Sequence, residues 1–282
     1  MNKKTGFISV LATGILAVLL LGSAGSKNTV YERVDQIQQE TVKKDLPSKT
    51  NEAFAPGEVL TYSLHYGMMD AAVAVLEVKK DTRTIAGREC YQIVGNGYSR
   101  GTFDWFFKVR DRYETYMDKD ALVPWLFVRR CYEGGYVINQ DYVFNHFAKK
   151  VDVGGGEQFP IIENTQDMIS AFYSARNIDF SNAKEGDLFS LNCFLDKENW
   201  PLKIKYVGKE TISTELGKIR CIKFRPIVQK GRIFKKEEDL NVWISDDKNH
   251  VPIRAQAKVM IGSIKMDILS HKNLANPLAI VN

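Results

Sequence analysis

The sequence GYSRG at residues 97–101 is the part of the chain that comes closest to a catalytic motif. It fits the G-x-S-x-G pattern of hydrolases, in which a sharp strand-to-helix turn exposes the serine hydroxyl above a parallel sheet. Residues 102–109 are aromatic and strand-like instead, and the chain lacks the strand–helix alternation of that fold. His250 or His271 could act as a base, but neither has a distinctive setting. We therefore predict no catalytic residue, and a serine hydrolase that uses Ser99 remains the alternative.

Metal ligands and paired acids show no organised pattern. The four histidines are scattered, and no two cysteines form the C-x2-C pair that is typical of structural zinc sites. The acidic pairs Asp118/Asp120 and Asp246/Asp247 lie where turns are expected, which explains them without a glycosidase role. The GGG run at residues 154–156 precedes no phosphate-binding helix. We predict no metal and no cofactor.

Four cysteines, Cys90, Cys131, Cys193 and Cys221, allow three disulfide pairings, and the sequence does not choose among them. Each lies in an apolar, strand-like stretch, where a free thiol commonly packs as a small core residue. We favour buried thiols, and the disulfide state stays open.

Aromatic residues are the remaining chemical signal, at 11% of the chain. Trp105, Phe106 and Phe107 are adjacent, so in a strand their side chains would point to both faces and at least one ring would leave the core. An apolar cleft inside a curved sheet would suit an acyl chain or stacking on sugars. The residues that we predict to bind such a ligand are Tyr98, Trp105, Phe107, Tyr113, Trp125 and Tyr136. Ordinary core packing is the alternative.

The first residues contain the three parts of a secretion signal. Lys3 and Lys4 precede an apolar run at residues 7–21, and small residues at 22–26 offer a cleavage site. The run is shorter than the roughly 20 residues of a spanning helix, and no nearby cysteine could carry a lipid anchor. We therefore predict a cleavable signal peptide at residues 1–26, export to the periplasm or cell envelope, and no transmembrane segment in the mature form.

The net charge of the chain is +5, and without Lys3 and Lys4 it is 5 − 2, or +3. The densest basic run, residues 230–236, is followed directly by three acidic residues and is typical of a solvated hairpin tip. Nucleic-acid binding usually requires a clustered basic stripe. We predict no nucleic-acid partner.

Alternation of apolar and polar residues predicts that most of the chain after residue 56 forms strands of antiparallel sheets. After Gly262 the apolar phase shifts by one residue, which predicts a turn or a bulge. One helix is expected, capped by Asn164 or Thr165 and ending near Asn177. Residues 27–55 are a polar extension that is better suited to linking than to folding.

Two pairs of segments repeat along the chain. GRECYQI at 87–93 resembles GKIRCIK at 217–223, and DKDALVP at 118–124 aligns without a gap to DDKNHVP at 246–252. Each acidic turn reverses the chain, and each Val-Pro step enters the next strand. We predict a mainly β fold: a strongly curved antiparallel sheet, or an open barrel or sandwich, built from two pseudo-repeated β-meanders with one helix packed on it. It forms a single β-rich domain at residues 56–275, with halves at about 57–160 and 185–270.

Several segments, in this order, resemble a family of exported bacterial proteins known as domain of unknown function 3108. They are FAPGEVLTY at 54–62, VRDRYE at 109–114, DMISAFY at 167–173, VWISD at 242–246 and VPIR at 251–254. The resemblance implies a β-rich envelope protein and brings no established activity or catalytic residue. A looser similarity links the chain to envelope lipid carriers, and it is an analogy at the level of the fold.

Together these observations predict a non-enzymatic exported protein that binds a lipid, a glycoconjugate or an envelope protein. A purely structural scaffold is the further alternative. The sequence does not determine the oligomeric state.

Overall fold

The computed structural model describes residues 30–40, 46–227, 239–259 and 262–281. The predicted signal peptide and the basic run at residues 230–236 lie outside the described residues. None of the helices in the described ranges has the length and apolar character needed to cross a membrane.

The described residues form one large antiparallel sheet and three short helices. The strands are β1 Val59–Tyr66, β2 Met69–Val78, β3 Arg83–Ile85, β4 Arg88–Ser99, β5 Val109–Asp118, β6 Pro124–Glu133, β7 Tyr136–Asn145, β8 Lys150–Gly154, β9 Glu157–Pro160, β10 Leu188–Leu195, β11 Glu198–Thr214, β12 Gly217–Pro226, β13 Leu240–Ser245, β14 Pro252–Lys258, β15 Ser263–Lys272 and β16 Ile280–Val281. The helices are α1 Val30–Glu40, α2 Gly101–Phe106 and α3 Met168–Ala175. The order along the sheet is β10-β11-β12-β13-β14-β15-β1-β2-β4-β5-β6-β7-β8-β9, with β16 beside β12 and β3 beside β4.

The sheet curls until its two edges nearly meet. Gln166 follows edge strand β9 and forms an isolated parallel bridge with Cys193 on the other edge strand, β10. The Gln166 N–H donates to the Asn192 carbonyl at 2.7 Å, and the Phe194 N–H donates to the Gln166 carbonyl at 2.8 Å. Accumulated twist accounts for such closure in a sheet of this width. The predicted strongly curved, mainly β fold is confirmed.

The predicted helix is present as α3, but its cap differs from the expectation. The Asp167 carboxylate accepts hydrogen bonds from the N–H groups of Ile169 and Ser170 at 2.7 and 2.9 Å, and the Ser170 hydroxyl bonds the Asp167 N–H. Asn164 has a positive φ of 58°, and the Thr165 hydroxyl donates to a carbonyl before the helix. Neither can therefore cap α3.

Helix α1 lies in the segment predicted to link rather than fold. Val34 and Ile37, one helical turn apart, are buried against a cluster that includes Trp125 and Leu126. The Arg33 guanidinium pairs with Asp152 at 2.6 Å. Contacts with strands that are distant in sequence therefore order a segment whose own composition is polar.

Helix α2 replaces the strand predicted at residues 102–109. Gly101 has a φ of 57°, which turns the chain out of β4 at a position where a side chain would be strained. Phe103 is buried, whereas Trp105 and Phe106 are exposed. Trp105 and Phe106 are therefore exposed because they lie on the outer side of a helix, and not because a strand alternates between two faces.

The two repeated acidic turns have equivalent geometry. Leu122 and His250 each precede the Val-Pro step and have positive φ values of 53° and 44°. The register shifts once before each turn, at residues 116/117 and 243/244. Gly262, with a φ of 87°, lies in the turn before β15, as the phase shift predicts. The four cysteines carry free thiols.

Candidate functional site

The strand register defines the side chains that share a face with α3. Directly opposed residues of antiparallel strands lie on the same face. One cross-strand row contains Ile268, Tyr62, Ala74, Gly97, Asp111, Cys131 and Ile138. The next contains Leu60, Leu76, Gly95, Tyr113, Arg129 and Gln140. A Cβ on Gly95 would lie 3.4 Å from Ile169 Cδ1, so α3 packs on this face of the sheet. We call it the concave face.

Several apolar side chains on the concave face and on α3 are only half-buried. They are Ala74 and Leu76 of β2, Met266 of β15, and Met168 and Phe172 of α3, and we call them the apolar trough. Leu76 and Phe172 pack against both of the larger core clusters and therefore lie at the seam between them. Adjacent, partly exposed apolar side chains on a concave surface are typical of ligand-binding clefts.

Two glycines keep the sheet beside the trough free of side chains. A Cβ on Gly95 would lie 3.0 Å from Leu76 Cδ2, which is tighter than ordinary van der Waals contact. Gly97 lies directly between Ala74 and Asp111 in its row, and a Cβ there would lie 3.8 Å from the Asp111 Cβ. The trough therefore continues across bare backbone to polar residues.

A polar cluster of buried side chains borders the trough beyond Gly97. Asp111 and Cys131 face each other on β5 and β6, and Glu133 lies two residues further along β6 on the same face. Arg129 Nη1 lies 3.2 Å from the Asp196 carboxylate, which brings the β10–β11 turn onto this face. We call Asp111, Arg129, Cys131, Glu133 and the half-buried Asp196 the polar cluster.

Burial sets the protonation of the polar cluster. It raises the pKa of Asp111, and hydrogen bonds with Glu133 and the Tyr132 N–H oppose this shift. It also raises the pKa of the Cys131 thiol to about 11, so the thiol is neutral near pH 7. Burial likewise raises the pKa of Asp196, and the neighbouring Arg129 charge opposes it. Burial therefore favours the protonated forms of Asp111, Cys131 and Asp196.

Asp111, Cys131 and Glu133 could by distance hold a metal ion, because their ligand atoms lie within 4.8 Å of one another. The thiol must lose its proton to bind a metal, and burial opposes that loss. The Arg129 guanidinium, which hydrogen-bonds Cys131, already supplies a positive charge. The arrangement therefore suits a polar group better than a cation, and the absence of a metal stays a prediction.

The sequence alone does not reveal this cluster, because its members come from two strands and a distant turn. Cys131 and Glu133 show the i, i+2 spacing of one strand face, but only the pairing of β5 with β6 brings Asp111 to them. In the sequence, the two acidic residues of this cluster cannot be distinguished from the many acidic residues in turns.

The six aromatic residues predicted to bind a ligand are divided by the structure. Tyr113 and Trp125 are buried in different core clusters, and Trp125 Nε1 donates to the Asp118 carboxylate at 2.9 Å. The other four, Tyr98, Trp105, Phe107 and Tyr136, lie at one end of strands β4 to β7, and the first, second and fourth are exposed. These four share one end of the sheet but form no ring contact with one another among the described residues, and ligand binding by the six residues stays a prediction.

The Ser99 hydroxyl is committed to structural contacts. It accepts the Val109 N–H at 2.8 Å, donates to the Asp104 carboxylate and lies 3.3 Å from Arg110 Nη1. Helix α2 does follow it, but the sheet is antiparallel. His250 Nδ1 hydrogen-bonds the Arg176 carbonyl at 2.7 Å beyond the end of α3, and no histidine is among the described hydrogen-bond partners of Ser99.

Two clefts lie outside the trough. One, of about 470 Å³, is lined by residues that include Glu77, Lys79 and Gln92. The other, of about 380 Å³, is lined by residues that include Pro47, His146 and Glu163. Neither is lined by a residue of the apolar trough or by any of the six aromatic residues.

Comparison with known proteins gives a family and a fold. The model of a protein family of unknown function, DUF3108, matches residues 61–269. No curated protein matches the chain significantly. The chain resembles a β-barrel-like protein of the family DUF1849 from Brucella abortus, with a TM-score of 0.50 and 10% identity over 78% of this chain and 99% of that one. At this identity the similarity shows the fold alone.

Two further solved structures are more distant. A DUF1089 family protein from Pseudomonas aeruginosa has a TM-score of 0.39 and 10% identity over 67% of this chain and 90% of that one. A candidate exported protein from Bacteroides fragilis with a YmcC-like fold has a TM-score of 0.31 and 10% identity over 80% of this chain and 98% of that one. These similarities are too low to support a conclusion about this chain.

Proposed function

The chain belongs to the DUF3108 family, whose function is unknown, and we propose that it is an exported, non-enzymatic protein that binds a lipid on its concave face. The signal-peptide pattern at residues 1–26 supports export to the periplasm or cell envelope. The contacts of Ser99 support a binding role over a hydrolase, because its hydroxyl is held by Asp104 and Val109.

The observation that carries the proposal is the apolar trough with the polar cluster beside it. An acyl chain would contact Leu76 and Phe172, which the core leaves half-buried. Each methylene that such a chain buries contributes roughly 0.8 kcal/mol. Across Gly97, the headgroup would meet Asp111 and Arg129, which offer both a hydrogen-bonding carboxyl group and a positive charge. A glycoconjugate with an acyl anchor fits the same description.

Strand β2 offers a matched pair of variants because neighbouring residues point to opposite faces. Ala74→Phe places a ring in the trough, whereas Val75→Phe places the same ring on the convex face, and both positions are half-buried. We expect Ala74→Phe to weaken binding of the fluorescent fatty acid cis-parinaric acid by about tenfold or more, which is about 1.4 kcal/mol. Val75→Phe should bind like the wild type, and thermal unfolding of both variants checks that they fold.

Native mass spectrometry of the mature chain, purified after export, provides the second measurement. We expect a co-purifying lipid that is reduced in Ala74→Phe and retained in Val75→Phe. A wild-type chain that carries no lipid and binds no probe would overturn the proposal, as would loss of binding in Val75→Phe alone.

A further inference from the structure

Exposed apolar side chains are concentrated at one end of the sheet. Strands β1, β4 and β6 run in the same direction, because each is separated from the next by one antiparallel strand. The segments that follow their ends therefore lie together. These segments and the strand ends beside them expose Met68, Met69, Tyr98, Trp105, Phe106, Tyr132, Tyr136 and Val137, which we call the apolar rim.

Direct contacts hold the rim segments to one another. Arg100 Nη2 pairs with Asp70 at 2.8 Å, which joins the start of α2 to the β1–β2 turn. The Gly134 N–H donates to the Lys108 carbonyl at 2.8 Å, and a Cβ on Gly134 would meet the Phe107 ring at 2.5 Å. The segments that follow β1, β4 and β6 therefore form one continuous surface.

The rim residues lie at strand ends, in α2 and in the β1–β2 turn. Met68 is fully exposed, and Trp105 is 88% exposed. Contiguous exposed apolar surface marks interaction sites. Tryptophan and tyrosine combine an apolar ring with a polar group, which suits them to the boundary between water and a lipid bilayer.

The charges of the rim segments fit a phosphate-rich surface. The carboxylates of Asp70 and Asp104 are paired with Arg100 and Arg110 at 2.8 and 2.7 Å. Lys108 is exposed and adds a positive charge. A cation near an anionic bilayer strengthens binding.

We propose that the apolar rim docks on the surface of a phospholipid bilayer that contains anionic lipid, with Trp105 and Met68 inserted among the headgroups. This inference goes beyond the proposed function, because the rim and the apolar trough share no residue. A docked rim would place the concave face beside a source of lipid.

Vesicle co-sedimentation of the mature chain tests the docking. The probes are vesicles of phosphatidylglycerol and phosphatidylethanolamine, compared with vesicles of phosphatidylcholine alone. We expect the wild type to bind the anionic vesicles more tightly. Its tryptophan emission should shift to shorter wavelength, because Trp105 leaves water whereas Trp125 and Trp243 are already buried and Trp200 is half-buried outside the rim.

The variant Met68→Asp/Trp105→Asp should reduce vesicle binding by about tenfold or more, because both side chains insert and both are exposed in the folded chain. Leu188→Asp is the matched control. Leu188 is 59% exposed and is the first residue of β10. Strand β10 runs in the same direction as β1, and the rim lies where β1 ends, so Leu188 lies at the opposite end of the sheet.

Three outcomes would overturn the docking. In the first, the wild type binds neither kind of vesicle. In the second, Leu188→Asp loses as much vesicle binding as Met68→Asp/Trp105→Asp. In the third, the wild type binds no vesicles but forms a concentration-dependent dimer that Trp105→Asp abolishes. The last would make the rim a contact between two copies of the chain. Binding of cis-parinaric acid in solution without vesicles reports on the trough alone, so failure of the docking and failure of the proposed function are distinguishable.

Discussion

Arg176, just beyond the end of α3, forms a bidentate ion pair with Glu58, which precedes β1 by one residue. Nη1 and Nη2 of Arg176 lie 2.6 and 2.8 Å from the two carboxylate oxygens, and both side chains are buried. The same guanidinium donates to the carbonyls of Ala53 and Asn249 at 2.8 Å. One side chain therefore joins the concave-face helix, the entry to the sheet and the second of the two repeated turns.

Arg176→Met should destabilise the protein strongly, because it leaves the Glu58 carboxylate buried without its partner. Loss of one member of a buried ion pair costs about 3–5 kcal/mol. Urea denaturation measures the change in the free energy of unfolding. The double variant Glu58→Leu/Arg176→Met should be less destabilised than Arg176→Met alone, since no buried charge remains. Additive losses in the double variant would show that the ion pair is not what holds α3 in place.

Asp167 should make stability fall as the pH rises from about 4 to about 6. Burial raises the pKa of this capping carboxyl to about 6, although hydrogen bonds from Thr115, Ser170 and Ile169 oppose the shift. The folded chain therefore binds the proton more tightly than the unfolded chain, whose ordinary pKa is 3.8. The stabilisation is complete below 3.8 and is lost by the time the pH passes 6, a change of about 3 kcal/mol.

Asp167→Asn isolates this contribution, because asparagine also caps helices and does not ionise. Relative to the wild type, the variant should gain stability as the pH rises through this window. Urea unfolding of both proteins at a series of pH values gives the difference. A stability difference between the two proteins that does not change with pH would show that Asp167 does not cause the pH dependence.

His146 should make stability fall as the pH decreases, which is the opposite of the effect of Asp167. Burial lowers its pKa to about 4, and the imidazole Nε2 lies 2.7 Å from the Pro124 carbonyl oxygen, to which it donates. The ring packs against Trp125 and Phe144. Because the unfolded chain binds the proton more tightly, stability is complete above the ordinary pKa of 6.5 and is lost as the pH falls towards 4.

His146→Gln retains a hydrogen-bond donor without the titration. Thermal unfolding between about pH 4 and 7 should therefore show a flatter acid limb for the variant than for the wild type. An unchanged acid limb would mean that other groups control the acid sensitivity.

The fold could be predicted because its determinants are local in sequence. Alternation identifies strands, and the acidic turns with their Val-Pro steps identify two hairpins whose positive-φ residues, Leu122 and His250, are equivalent. Helix α3 follows from its apolar stripe, although the predicted caps Asn164 and Thr165 give way to Asp167. Helix α1 does not, because burial of Val34 and Ile37 depends on strands that lie far along the chain.

The sequence predicted none of the residues of the candidate site, because residue type does not specify a face of the sheet. Trp105 and Tyr136 are exposed, as a binding role requires, whereas Tyr113 and Trp125 fill the core. The trough requires two facts that no local pattern contains. One is the register that sets Ala74 beside Gly97, and the other is that α3 packs on that face.

The four cysteines should remain reduced in the folded protein. No two of them are opposed in neighbouring strands: Cys90 faces Asp118, Cys131 faces Asp111, Cys193 faces Trp200 and Cys221 faces Ser245. Burial raises the pKa of Cys193 and Cys221 to about 12, so little thiolate forms near neutral pH. We expect Ellman's reagent at about pH 8 to react slowly with the folded chain and with all four thiols after unfolding in urea without reductant. Glutathione under the same conditions is the reference for an exposed thiol, and fewer than four thiols in the unfolded chain would reveal a disulfide.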